Sequence, residues 1–234
     1  MAHQNSILAL RAAELKRAQR PFNARGSKVI RCVTCLLPVN TCICCDKPKP
    51  QAQCAVAFVM YKGEYYKPTN TGRLIADIVN ENYAFIWHRT EPDVALLQLL
   101  TNADYQPIVI FPHEYAAPSR CIDKPVKEGN KKFLFIFLDG TWREARKMFS
   151  KSPYLDNLPV LGISPTQSSA YLLRESSHAF QHCTAEVGVN VLDLADEVEA
   201  ASALAHYFSQ FRLQYLKGKP HLNHKIAFAK AQLE

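Results

Sequence analysis

Long apolar runs are scarce in this sequence of 234 residues. Runs such as residues 54–61 and 133–138 are far short of the roughly 20 apolar residues that a membrane-spanning helix needs. The amino terminus also lacks a basic segment followed by an apolar stretch, so no secretory signal is predicted. We therefore expect a cytoplasmic protein with no membrane partner, in a compartment where thiols stay reduced.

Neither charge nor hydrophobicity is extreme, since charged residues make up 21% and hydrophobic residues 48% of the chain. This composition excludes a disordered chain and a coiled coil. A chain of this length can bury a core without disulfide bonds. It fits one α/β domain with an appendage, or at most two small domains.

Acidic residues are nearly absent from the first 50 positions, which hold nine basic and two acidic side chains. The rest of the chain holds 19 of each, so the whole net charge of +7 lies in the amino-terminal fifth. A basic arm on a neutral body predicts a polyanionic partner, with nucleic acid first. The alternative is a basic helix that is merely solvated.

Five of the eight cysteines fall between positions 32 and 45. Four of them follow a C-x2-C-x6-C-x-C spacing: Cys32, Cys35, Cys42 and Cys44. In a reducing compartment this spacing predicts a metal site, and four thiolates suit a structural Zn²⁺ with no open coordination position. Cys45 is a spare or substitute ligand, and the alternative is a group of buried cysteines without a metal.

The predicted division of the chain falls at the Lys-Pro-Lys-Pro stretch of residues 47–50, which reads as an extended linker. Residues 1–50 would form a basic amphipathic helix, over 5–19, followed by the Cys-rich zinc knuckle. Residues 51–234 would form the catalytic α/β domain.

Strand and helix patterns alternate after the linker, which predicts a mainly parallel sheet with helices on both faces. The predicted strands are 54–60, 83–87, 107–111, 132–138 and 158–163. The predicted helices are 71–80, 92–101, 143–149, 184–194 and 195–216. Ligands bind such sheets at the carboxyl ends of the strands, so the loops there are the candidate site.

Two of these loops open helices with unusual polar residues. The first contains Asn70-Thr71-Gly72, which either contacts a ligand or simply caps the helix. The second reads Asp139-Gly140-Thr141-Trp142 after the most apolar strand, and Asp139 is either functional or an N-cap. A tryptophan at this position could stack on a nucleobase or wall a pocket.

Basic residues follow on one face of the next helix, at Arg143, Arg146 and Lys147, where the alternative is a solvated surface. A third loop, from residue 164 to 174, is rich in hydroxyl groups, and its Arg174 could bind a phosphate or carboxylate.

These motifs in this order resemble the DTW-domain family from the knuckle to the last helix. The resemblance implies a tRNA-uridine aminocarboxypropyltransferase. Such an enzyme moves the 3-amino-3-carboxypropyl group of S-adenosylmethionine to N3 of variable-loop uridine 47 and releases methylthioadenosine. It also implies a SPOUT-like, trefoil-knotted fold. Two departures are the absence of His-Pro before Asn70 and the sequence Cys183-Thr184-Ala185-Glu186 where the family has a different pattern.

The resemblance carries roles to matching positions. Asp139 is the candidate base for the uridine N3 proton, with Thr141 and Trp142 beside it in the catalytic group. The expected S-adenosylmethionine contacts are Phe111, Pro112, His113, Leu161, Gly162, Ser164, Tyr171, Leu173 and Arg174. The expected tRNA contacts are Asn70, Thr71, Gly72, Arg73, Arg143, Arg146 and Lys147.

Two other functions stay open at this point. A SPOUT-type RNA methyltransferase would use the same cofactor but present its methyl group to the acceptor. A zinc-containing RNA-binding protein would carry out no reaction. The sequence predicts no particular oligomeric state.

Overall fold

The computed structural model describes residues 4–19, 29–49, 52–163, 183–218 and 226. Its centre is a six-stranded parallel sheet with the strand order β2-β1-β5-β3-β6-β4. The strands are β1 (Ala52–Met60), β2 (Val79–Ile86), β3 (Tyr105–Ile110), β4 (Cys121–Ile122), β5 (Lys132–Asp139) and β6 (Val160–Leu161). Because each of these strands runs parallel to its neighbours, all six carboxyl ends meet at one edge.

Six α-helices accompany the sheet within the described residues. They are α1 (Ser6–Arg17), α2 (Gly72–Ile78), α3 (Val94–Leu100), α4 (Trp142–Ser150), α5 (Thr184–Leu194) and α6 (Val198–Lys217). Helices α1, α2, α5 and α6 share one apolar cluster on one side of the sheet, which we call the α6 face. Helices α3 and α4 pack on the other side, which we call the α4 face. None of the described helices is both long enough and apolar enough to span a lipid bilayer.

The predicted fold class is confirmed, since the sheet is parallel and helices cover both of its faces. Strand β5 lies near the middle of the sheet, and its side chains alternate between the two faces. Phe135 and Phe137 enter the α6 cluster, whereas Leu134 and Ile136 enter the α4 cluster. The implied trefoil knot depends on chain outside the described residues and stays a prediction.

Several predicted boundaries differ from the structure. Helix α2 ends at Ile78, and β2 begins at the next residue, four positions before its predicted start. A fully buried Val79 can begin a strand directly, because its backbone pairs with β1 without a loop. Strand β6 has only two residues. The sequence pattern does not predict the short β4, whose Cys121 is partly buried.

The amino-terminal region packs on the α6 face. Ile7 of α1 and Cys35 of the knuckle lie in the same apolar cluster as Phe211 of α6. The Glu197 carboxylate, just before α6, accepts hydrogen bonds from the backbone N–H groups of Gln53 and Cys54 at the start of β1. The division at residue 50 stays a prediction about organisation, and the structure shows the two parts sharing one core.

Candidate functional site

The Asp139 carboxylate lies at the carboxyl end of β5 and is 3% exposed. Its Oδ2 accepts a hydrogen bond from Asn70 Nδ2 at 2.7 Å, and its Oδ1 accepts one from Thr184 Oγ1 at 3.0 Å. Hydrogen bonds to an ionised carboxylate are stronger than neutral ones, so both donors hold the group firmly. Three segments that are distant in the sequence therefore meet at one carboxylate.

Gly72 allows this meeting because it has no side chain. A Cβ added there would lie 2.8 Å from Asp139 Oδ2, closer than real Cβ contacts come. The same Cβ would press on Ile7 and Phe58, each at 3.3 Å. The glycine of the Asn-Thr-Gly motif thus lets the start of α2 touch the carboxylate.

Asn70 and Thr71 both make hydrogen bonds within the protein, and the ligand contact expected of them stays a prediction. Asn70 Oδ1 accepts a hydrogen bond from the Arg73 N–H at 3.3 Å, while its Nδ2 donates to Asp139 Oδ2. Thr71 Oγ1 accepts from the Ala185 N–H at 3.2 Å, which ties the start of α2 to the start of α5. Both side chains are buried.

Thr141, rather than Asp139, is the N-cap of α4. It forms a capping box with Glu144, in which the Thr141 N–H donates to Glu144 Oε2 at 2.7 Å and the Glu144 N–H donates to Thr141 Oγ1 at 3.4 Å. The structure therefore gives Thr141 a helix-capping role, and its predicted catalytic role is untested.

Aromatic rings line the same edge of the sheet on the α4 face. Trp142 stacks on Phe111 with ring centroids 5.6 Å apart and meets Tyr115 edge-on at 5.7 Å. Tyr61 and Trp87, which follow β1 and β2, stack on each other at 5.7 Å. We call these five residues the aromatic ledge. Trp142 is 36% exposed, so its ring remains accessible to a ligand.

Cations of α4 cover the aromatic ledge. The Arg146 guanidinium lies 4.8 Å from the centroid of the Tyr115 ring. Lys147 Nζ lies 5.8 Å from the Tyr61 centroid and 5.7 Å from the Trp87 centroid. Arg143 is exposed on the same helix. Cation–π contacts fix the positions of these charges while leaving the side chains exposed.

The carboxylate and the ledge occupy opposite faces of the sheet. Asp139 continues the alternation of Phe135 and Phe137 and contacts the α6 face through Asn70 and Thr184. Trp142 stacks on Phe111, which belongs to the α4 cluster. Only Gly140 and Thr141 separate the two in sequence, so both lie at one edge but point to different sides.

Part of the predicted cofactor site comes together. The His113 ring packs directly against Gly162, whose N–H donates to His113 Nε2 at 2.9 Å, and Leu161 precedes this contact. The loops after β3 and β6 therefore touch at the carboxyl edge. Phe111 is 5% exposed beneath Trp142, and Pro112 connects it to His113. Ser164, Tyr171, Leu173 and Arg174 lie outside the described residues.

Arg73 does not fit its predicted role as a tRNA contact. All seven residues of α2 are buried, and Arg73 is 1% exposed. Its guanidinium lies 4.6 Å from the centroid of the Phe211 ring on the α6 face. The physical reason is that α2 is enclosed on every side, so a charged residue next to Gly72 has no solvent to reach.

The four predicted metal ligands form a compact cluster. The Sγ atoms of Cys32, Cys35, Cys42 and Cys44 all lie within 4.8 Å of one another. The Cys32–Cys44 pair is 3.5 Å apart and the Cys35–Cys42 pair 3.6 Å. Tetrahedral Zn²⁺ with Zn–S bonds of about 2.3 Å places sulfur atoms about 3.8 Å apart. The cluster therefore fits a metal ion such as zinc, while Cys45 is exposed.

The thiols differ in how easily they ionise. Burial would raise the pKa of the Cys32 thiol, but the backbone N–H groups of Cys35 and Thr34 and the neighbouring thiols lower that pKa to about 6. Burial raises the pKa of Cys35 and of Cys44. One ligand is therefore readily available as a thiolate, and the others lose their protons as a metal binds.

Several residues of the site were missed or left without a role by sequence reasoning. Thr184 is bonded to Asp139 across 45 positions, and its signal is the Cys183-Thr184-Ala185-Glu186 variant of the family pattern. Tyr61, Trp87 and Tyr115 carry a weaker signal, which is that each follows the carboxyl end of a strand. That position could have drawn attention to them.

Comparison with known proteins adds one positive finding. No solved structure matches the chain. Residues 29–216, which include the knuckle, both motif loops and nearly all of α6, match the family described as the DTW domain. This match suggests a tRNA-modifying enzyme in general terms. The chain belongs to the DTW-domain family.

Proposed function

We propose that this protein transfers the 3-amino-3-carboxypropyl group of S-adenosylmethionine to N3 of a uridine in tRNA, at variable-loop position 47. N3 attacks the γ-carbon of the group, and a new N–C bond forms. The C–S bond breaks, and its electron pair stays on sulfur to give methylthioadenosine. The proton of N3–H is released.

One observation carries the proposal, which is the buried Asp139 carboxylate that joins the family motifs at the carboxyl edge of the sheet. Its two hydrogen bonds hold the starts of α2 and α5 in fixed positions at this edge. Ligands of parallel α/β sheets bind at this edge. The accessible ring of Trp142 and the charges of Arg146 and Lys147 lie beside it.

S-Adenosylmethionine supplies the electrophile when bound, because its sulfonium activates the three attached carbons. The loops of His113 and Gly162 would hold it, since they meet at the carboxyl ends of β3 and β6. Phe111 links this position to Trp142. Which carbon reacts depends on which one faces the acceptor, so the positioning of the two substrates decides the product.

We assign Asp139 a positioning role in this reaction. It fixes the starts of α2 and α5, and it needs no substrate contact to do so. The base role predicted for it would require uridine N3 to reach a group that is 3% exposed. Substitution by asparagine separates the two roles, because an amide keeps one acceptor oxygen but cannot take up the N3 proton.

The tRNA would bind across the aromatic ledge and the exposed face of α4. A uridine must leave its stack for N3 to be reached, and an accessible aromatic ring can hold the displaced base. Arg143, Arg146 and Lys147 would contact phosphates. The basic residues of α1, among them the exposed Arg17, lie on the α6 face and would make a separate contact with the tRNA backbone.

The test is a reaction of the purified full-length protein with S-adenosylmethionine and an unmodified tRNA transcript, with the small product identified by mass. Methylthioadenosine and a matching mass gain on one uridine are expected. A transcript with cytidine at position 47 is the control, because it lacks a uridine at the proposed target position. S-Adenosylhomocysteine would instead show a methyltransferase. Bound tRNA without turnover would show an RNA-binding protein.

A further inference from the structure

A buried arginine of α2, on the same face of the sheet as the cysteine cluster, has no hydrogen-bond partner among the described residues. Nε, Nη1 and Nη2 of Arg73 are all buried, and none of them bonds to any residue that the structure describes. The side chain is 1% exposed and lies over the Phe211 ring. Burying an uncompensated charge costs several kcal/mol, so a guanidinium in this position requires a nearby negative charge.

Asp77, one turn further along α2, does not supply that charge alone. Its Oδ1 forms an ion pair with Lys47 Nζ at 2.6 Å and accepts a hydrogen bond from Asn5 at 2.8 Å. Its Oδ2 accepts from Tyr207 at 3.2 Å. Lys47 already balances the charge of Asp77. Arg73, Asp77 and Lys47 together therefore carry a net charge of +1.

Lys47, three residues after Cys44, forms its ion pair with Asp77 one turn from Arg73, and this contact holds the knuckle against α2. Burial lowers the pKa of the guanidinium, and four neighbours raise it: Tyr207, Asp77, Cys35 and Cys44. Cys35 also shares the apolar cluster of Phe211 and Tyr207. Arg31, which lies within the knuckle itself, donates to the Leu36 carbonyl. It is partly exposed, so water solvates its charge.

We propose that Arg73 is the buried counter-charge of a metal ion held by Cys32, Cys35, Cys42 and Cys44. Four thiolates on Zn²⁺ carry a net charge of −2. Arg73 and the Lys47–Asp77 pair together carry +1, so the loaded cluster compensates the guanidinium and is in turn partly neutralised by it. This accounts for a buried arginine that makes no hydrogen bond to any described residue.

Helix α2 therefore connects the metal centre to the Asp139 site. Arg73 follows directly after Gly72, which touches Asp139, and its N–H donates to Asn70. Arg73 is a positioning residue in this arrangement and contacts no substrate.

Zinc affinity tests the proposal in the full-length protein, by competition with a colorimetric zinc chelator. Arg73→Met keeps the length and removes the charge, and we expect zinc binding to weaken by about tenfold or more. Arg73→Lys keeps the charge and should lose less of the zinc affinity than Arg73→Met does. Arg212→Met is the matched control, because Arg212 is also 1% exposed but lies on α6 over Phe208, with Glu186 as its acidic neighbour.

Thermal unfolding with and without zinc separates charge compensation from packing. Zinc should raise the melting temperature of Arg73→Met by less than it raises that of the wild type. Equal zinc-induced shifts, or equally weakened zinc affinity in Arg73→Met and Arg212→Met, would overturn the proposal. If Arg73→Met does not fold, Arg73→Gln and Arg73→Lys take its place, and zinc binding by both with equal affinity would overturn it.

Discussion

The two sides of the carboxyl edge contrast sharply. On the α6 face, Asp139 is 3% exposed and held by hydrogen bonds from Asn70 and Thr184. On the α4 face, Trp142 is 36% exposed and held by ring stacking, with cations above the neighbouring rings. The hydrogen bonds on the α6 face fix the position of Asp139, and its burial keeps solvent and ligands away. The stacked rings on the α4 face are open to a ligand, and stacking allows more variation in distance and angle than hydrogen bonds do. In the proposed enzyme, one side organises the active site and the other binds tRNA.

The largest effect is expected at the carboxylate. Asp139→Ala removes the acceptor for both donors, and we expect kcat to fall about a hundredfold, as a small displacement of reacting groups can cause. Asp139→Asn keeps one acceptor oxygen, so its kcat should fall less than that of Asp139→Ala. The pH profile of kcat should stay unchanged in Asp139→Asn. Single-turnover rates measure both. Equal inactivity of the two variants would favour the general-base role over the positioning role.

Gly72→Ala should have the next largest effect. The added Cβ would lie 2.8 Å from Asp139 Oδ2, and relieving this contact must move either α2 or the carboxylate. Overpacking of this kind costs about 1–3 kcal/mol in the free energy of unfolding, and we expect kcat to fall about tenfold. Urea unfolding and turnover rates provide the measurement. Gly218→Ala is the control, because its Cβ approaches only Pro38 closely, at 3.2 Å.

On the exposed side, Trp142→Ala should weaken tRNA binding while leaving the fold intact. Stacking of one base on an aromatic ring is worth about 1–3 kcal/mol, which corresponds to roughly 5- to 150-fold in Kd. Trp142→Phe keeps a ring and should bind within a few-fold of the wild type. Filter binding or fluorescence anisotropy measures both. A Trp142→Ala variant with wild-type affinity would remove the ledge from the tRNA interface.

The smallest effect concerns the cations of α4. The double variant Arg146→Gln and Lys147→Gln should lower the slope of log Kd against log salt by about one for each phosphate that the variant no longer neutralises. Lys131→Gln, at the opposite edge of the sheet, should leave the slope unchanged. A slope that changes equally in both would mean that net charge, and not this surface, attracts the tRNA.

The sequence allowed the sheet and the knuckle to be predicted because both depend on local patterns. The apolar run of β5 indicates a central strand, and two close cysteine pairs indicate a metal site. The convergence of Asn70, Asp139 and Thr184 could not be derived from periodicity. A pattern within one element shows which face is apolar, but it does not show which distant segment that face meets.

The burial of Arg73 is a second feature that a pattern within one element does not reveal. An arginine near the start of a short helix is expected at the surface, and only the packing of α1 and α6 around α2 buries it. Likewise, the direct passage from Ile78 to Val79 leaves no turn residues that a sequence pattern could reveal. The aromatic ledge was also missed in part, because its members come from separate strand ends.

The contacts of Asp77 and Glu197 have a consequence for the order of folding during synthesis. Asp77 bonds Asn5 and Tyr207, and Glu197 bonds the start of β1, so both ends of the chain must be present before these contacts form. The four cysteines, in contrast, lie within 13 residues and leave the ribosome early. A nascent chain could therefore hold a metal ion at the cysteines long before the contacts of Asp77 and Glu197 can form.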